Sequence, residues 1–198
     1  MSAAAKLLFF SGSTREGSLN AKLAALAHKT AELNGIEATL ITLKDYPLPL
    51  YDGDLEAAEG IPEPARKLKA LMQHHNGIFI ASPEYNGGMS PLLKNTIDWL
   101  SRVNDEDMKA SEMFRSRAFA FGSVAASEMG GIRGLIQLRQ VLAVALGAHV
   151  IGGQVQVAGG PDNFDDDGNM TDERRFSFLK ANVDMLARTA SALFPLND

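Results

Sequence analysis

In FSGSTREGSLN, residues 10–20, Gly12 and Gly17 have the G-x-x-x-x-G spacing of a loop that wraps phosphates. A nucleoside-triphosphate loop continues with Lys for the β- and γ-phosphates, then Ser or Thr for Mg²⁺. Here those two positions hold Ser18 and Leu19. What remains is a set of neutral hydroxyl donors, Ser11, Ser13, Thr14 and Ser18, with one guanidinium, Arg15. At the N-terminus of a helix, whose first N–H groups and dipole favour an anion, that set suits one terminal phosphate monoester held without metal. The competing reading is a plain βα turn that caps a helix. The dinucleotide pattern G-x-G-x-x-G does not occur in the loop.

A second stretch, Ser82-Pro-Glu-Tyr-Asn-Gly-Gly-Met-Ser-Pro91, follows an apolar run. Tyr85 offers a flat ring and Asn86 an amide, while Gly87-Gly88 would let a planar group approach the backbone closely. Read blandly, Asn86-Gly87 is a turn punctuated by Pro83 and Pro91. Other chemistries are poorly represented. There is no cysteine, hence no thiol nucleophile or Cys-based metal site, and the four histidines lack ligand spacing. NFDDDGNMTDER (163–174) begins like a calcium loop, but Arg174 stands where a bidentate Glu is required.

Short apolar runs alternate with amphipathic ones and must position these loops. Strands are expected at 6–11, 36–43, 77–82, 117–123 and 149–157. Helices are expected at 18–35, 63–75, 90–103, 132–147 and 171–194, with Ser90 and Thr171 as N-caps. Strand–helix repeated five times predicts an α/β fold, a five-stranded parallel sheet with helices on both faces. Ligands in such sheets sit beyond the carboxyl ends of the strands, which selects loops 11–20, 82–90 and 123–131. The Pro- and acid-rich connection 44–62 is expected near the site or at an interface.

The 198 residues suit a single domain over 1–198. A net charge of −5 argues against a nucleic-acid partner. The N-terminal apolar run is too short for a signal peptide and no window suits a membrane span, so a cytoplasmic protein is expected.

Together GSTREGSLN, LPLYDGDLE and SPEYNGGMSPLLKNTIDWLSR resemble the NADPH-dependent FMN reductase family, of flavodoxin-like three-layer fold. The resemblance runs from about residue 6 to the last helix. It implies FMN as cofactor, NADPH (or NADH) as co-substrate and a flavin, quinone or similar small molecule as electron acceptor. By the same resemblance Ser13, Arg15, Ser18 and Asn20 would grip the FMN phosphate, helped by the Leu19 N–H. Pro83, Glu84, Tyr85, Asn86 and Gly87 would line the ring and ribityl chain, and Ser123 would start the third flavin loop. Residues Ala125 to Met129 depart from the more glycine-rich run of family members. No side-chain acid or base is required for hydride transfer, and Glu84 is read as structural. The family also implies a homodimer or homotetramer, with helix 90–103 and loop 44–62 of one subunit near the other's flavin. Arg15, Arg102 and Arg133 are candidates for a 2′-phosphate. His74-His75 read as dipole partners at a helix end and Trp99 as core. The alternative is a non-catalytic flavodoxin-type electron carrier served by a protein partner; 19 Lys and Arg make this chain less acidic than such carriers usually are.

Overall fold

The computed structural model describes residues 5–106 and 108–196. Its central sheet is built from β1 (Lys6–Ser11), β2 (Glu37–Leu40), β3 (Gly77–Ala81) and β6 (Ala118–Ala125), completed by two short strands, β7 (His149–Val150) and β8 (Val155–Ala158). All pairings in it are parallel, in the order β2-β1-β3-β6, with β7 and β8 both against β6. That is the flavodoxin-like order, with its switch point between β1 and β3.

Because successive strand residues face opposite ways, the apolar runs of β1, β3 and β6 feed two cores. Leu7 and Phe9 pack with Leu23 of α1 (Leu19–Leu33) and with Leu179, Val183 and Leu186 of α7 (Glu173–Leu193). Leu8 and Phe10 face the opposite cluster, which holds Leu68 of α3 (Glu63–Gln73), Ile97 of α4 (Pro91–Leu100) and Leu135 of α6 (Ile132–Arg139).

Several elements differ from the sequence expectation. The fifth strand is interrupted at Ile151–Gln154, where Gly153 has φ 80°, and the Arg139 guanidinium donates to the Ile151 (3.0 Å) and Gly153 (3.1 Å) carbonyls across the break. Helix α6 passes into a π-helical stretch, Gln140–Ala145. The cap of α7 is Asp172, not Thr171: its carboxylate accepts from the Arg174 (2.9 Å) and Arg175 (3.1 Å) N–H groups. Connection 44–62 contains α2 (Gly53–Glu59), and a further helix, α5 (Ala110–Arg115), precedes β6.

Candidate functional site

The first loop leaves β1 at Ser11 and turns through Gly17 (φ 66°) into α1, where Ser18 is the N-cap and accepts from the Ala21 N–H (3.3 Å). The loop is thus a βα turn that caps a helix, and it places the Ser13, Arg15 and Ser18 side chains at the N-terminus of α1. The next helical donor, Lys22 N–H, bonds the Ser18 carbonyl at 3.1 Å. The N–H groups of Leu19 and Asn20 have no acceptor among the described residues. Arg15 is exposed, its guanidinium donating to the Glu16 carbonyl at 3.1 Å.

The second loop forms a small hairpin of β4 (Glu84–Tyr85) and β5 (Gly88–Met89), turned by Asn86 and Gly87 at φ 51° and 80°. Asn tolerates that left-handed conformation better than most side chains. Tyr85 is half exposed, whereas Ser90 at the hairpin's foot is buried. Ser90 caps α4, accepting from Leu93 N–H (3.2 Å), and donates to the Gly12 carbonyl (2.6 Å). One hydroxyl thus joins the second loop to the first. Glycine lets the two loops approach here, since a Cβ at Gly12 would lie 3.0 Å from that of Leu93 and 3.1 Å from the Ser90 hydroxyl.

The third loop follows β6. Asn20 reaches across to it, its amide donating to the Val124 carbonyl and accepting from the Val124 N–H, each at 3.0 Å. The three loops enclose a cleft of about 170 Å³ lined by Ser13, Arg15, Ser18, Leu19, Asn20, Pro83, Glu84, Tyr85 and Val124–Ala126.

Most residues singled out in the sequence therefore meet in one place, though not all in the expected role. Asn20 is 4 % exposed and its amide ties the first loop to the third. Asn86 and Gly87 form the hairpin turn beside the cleft rather than its lining. The Ser123 side chain is buried against α6, so close to Gly131 that a Cβ there would stand 1.9 Å from its hydroxyl. Among the described residues that hydroxyl has no hydrogen-bond partner, and Val124, Ala125 and Ala126, not Ser123, present the third loop to the cleft. Glu84 lines the cleft and is tied to α6: its carboxylate accepts from the Arg133 (2.9 Å) and Gly134 (3.1 Å) N–H groups and pairs with the Arg133 guanidinium. Burial alone would push this carboxyl up, but the guanidinium and those N–H groups hold it below the usual carboxylate range.

Two of the candidate arginines are engaged elsewhere: Arg133 with Glu84, and Arg102 with Glu56 at 2.9 Å. His75 does meet the last turn of α3. It is buried, with Nδ1 2.8 Å from the Leu71 carbonyl and Nε2 2.9 Å from Thr39 Oγ1, and burial lowers its pKa. The calcium-like stretch is a turn in which Asp165 accepts from the Asn169 N–H at 2.7 Å.

Residues 5–162 match the family model described as NADPH-dependent FMN reductase. The chain belongs to that family. Among its relatives in the FMN reductase family, a probable NADPH:quinone oxidoreductase of Oryza sativa subsp. japonica is 34% identical over 85% of this chain and 80% of its own length. A quinone reductase of Escherichia coli is likewise 34% identical, over 66% of this chain; the match spans 65% of that relative's length. The solved flavoenzyme NAD(P)H:(acceptor) oxidoreductase of Paracoccus denitrificans superposes with a TM-score of 0.78 at 24% identity, covering 96% of this chain and 98% of that one. The last likeness is one of fold, and it agrees with the strand order described above.

Proposed function

We propose that the protein is an FMN-dependent oxidoreductase that takes electrons from NADPH or NADH and passes them to a quinone, a flavin or a similar small acceptor. The observation that carries this reading is the donor set at the N-terminus of α1. Leu19 and Asn20, whose N–H groups have no acceptor among the described residues, line the same cleft as Ser13, Ser18 and the exposed Arg15. That is a cradle for one phosphate monoester. No lysine stands in it to hold a second and third phosphate. Next to it the half-exposed Tyr85 and the positive-φ turn Asn86-Gly87 leave an open shelf for a flat ring. FMN has both parts, and family membership points the same way.

When bound, FMN would supply hydride acceptance and electron delivery to the acceptor. The protein's own contributions are positional. Ser13, Arg15, Ser18 and the Leu19 N–H bind the phosphate; Pro83, Tyr85 and Val124–Ala126 orient what lies beyond it. Glu84, with its carboxylate fully hydrogen-bonded, takes no part as a base.

We also propose a homo-oligomer. Tyr85, Met129, Ile136 and Val144 are each at least half exposed. Tyr85 is on the hairpin at the cleft, Met129 in the third loop, Ile136 on α6 and Val144 on the π-helical stretch that continues it. Among the described residues no helix is long and apolar enough to cross a membrane, and we propose a cytoplasmic protein. FMN titration followed by flavin fluorescence quenching tests the cofactor assignment: tight one-to-one binding supports it, and failure to bind FMN overturns it. Sedimentation at low micromolar concentration tests the assembly.

A further inference from the structure

Beyond lining the cleft, Glu84 has a connection that the flavin reading does not require. It is 5 % exposed at its side chain, yet it sits at the base of the exposed hairpin. One carboxylate oxygen takes the second and third N–H groups of α6, Arg133 and Gly134, which would otherwise have no acceptor within the helix. The other pairs with the Arg133 guanidinium. The stem of Arg133 then runs beneath the hairpin turn: a Cβ on Gly87 would lie 3.9 Å from its Cδ and Nε. A second strut runs parallel to the first, from the Met89 N–H to Gln137 Oε1 at 2.8 Å. Glycine makes the close approach possible. A Cβ at Gly134 would stand 3.1 Å from the Gly88 carbonyl oxygen, and one at Gly131 would strike Ser123. Hairpin, third loop and α6 therefore form one block, with Glu84 at its centre.

The same carboxylate has an electrostatic consequence. The N-terminus of α6 and the Arg133 guanidinium are both positive, and both are bonded to Glu84, which lines the cleft. Glu84 compensates them within hydrogen-bonding distance. We propose that Glu84 is a positioning residue that locks the second and third loops into a preformed wall and, with Arg133, sets the electrostatic balance felt by a flavin in the cleft. This rests on the FMN reading of the site. It assigns to the Glu84–Arg133 pair opposite influences on the bound flavin, because a more positive site favours the electron-richer, reduced form.

The test uses the full-length FMN-loaded protein and the variants Glu84→Gln and Arg133→Met, with FMN dissociation constants and flavin midpoint potentials as readouts. Glu84→Gln is expected to raise the FMN dissociation constant by roughly tenfold or more, since buried N–H groups lose a charged acceptor. It is expected to shift the potential positive. Arg133→Met removes a largely exposed guanidinium, should fold normally, and is expected to shift the potential negative. A purely structural role would move both variants the same way or not at all, and either result overturns the proposal. Wild-type FMN binding is measured first. If it is absent, the cofactor assignment falls along with this proposal; if it is present and the two shifts are not of opposite sign, only this proposal falls.

Discussion

At the scale of single residues the cleft divides into exposed groups proposed to meet the phosphate and buried groups that hold the loops. Arg15, exposed and lining the cleft, is the clearest candidate of the first kind. Arg15→Ala should weaken FMN binding by about ten- to a hundredfold, the span of a charge-assisted hydrogen bond, with stability unchanged; FMN titration beside a denaturation curve measures both. Asn20 is of the second kind. Its amide is paired on both sides with Val124, so Asn20→Ala should cost about 1–3 kcal/mol of stability in addition to its effect on FMN. An urea denaturation midpoint equal to wild type would contradict that. His75 predicts a pH dependence. Its folded pKa is below the ordinary value, so the folded chain binds fewer protons than the unfolded one. Its contribution is complete above the unfolded pKa, about 6.5, and declines as pH falls from there toward the folded pKa. Denaturation midpoints at pH 7.5 and 5.5 should therefore diverge less in His75→Gln than in wild type; equal divergence would count against it. Glycine spacing, hydroxyls and the SPEYN run made the place of the cleft legible in the sequence. Which groups face into it was not, because Asn20, Glu84 and Ser123 are oriented by backbone atoms 49 to 104 residues away in the chain or by packing on α6.

At the scale of elements, the apolar runs gave away β1, β3 and β6 because strands buried on both faces are apolar at consecutive positions. Edges were harder. The fifth strand splits where Gly152-Gly153 leaves the ladder and Arg139, from the helix before it, supplies the missing donors. No periodicity signals such a long-range repair. Connection 44–62 is likewise organised from outside: the Trp99 indole donates to the Pro49 carbonyl at 2.8 Å, Asn95 bonds Pro49 and Tyr51, and Tyr51 stands edge-on to Trp99. The Pro-rich segment is thus fastened to α4 of its own chain, the helix that Ser90 caps. Trp99→Ala should cost about 3–5 kcal/mol and free this segment, which limited proteolysis within 44–62 would detect. Retained protection there would mean that the loop is held by other contacts.

At the scale of the whole molecule the design is a stiff sheet with all three cleft loops at one end of it. Two cores clamp β1 and β3 between α1 and α7 on one side and α3, α4 and α6 on the other. The loops inherit that rigidity through Asn20, Ser90 and Glu84. The site is open at Tyr85, which suits successive visits by small molecules more than docking of a protein carrier, and a net charge of −5 with 19 Lys and Arg is modest for a chain that docks through acidity. The most direct measurement is therefore an absorption spectrum of the purified FMN-loaded protein before and after anaerobic addition of NADPH, with NADH in a parallel sample. An NAD(P)H oxidoreductase requires the flavin bands to bleach on addition of either nucleotide and to return when a quinone is admitted. Flavin bands that neither nucleotide changes would contradict that account and leave a carrier reduced by another protein.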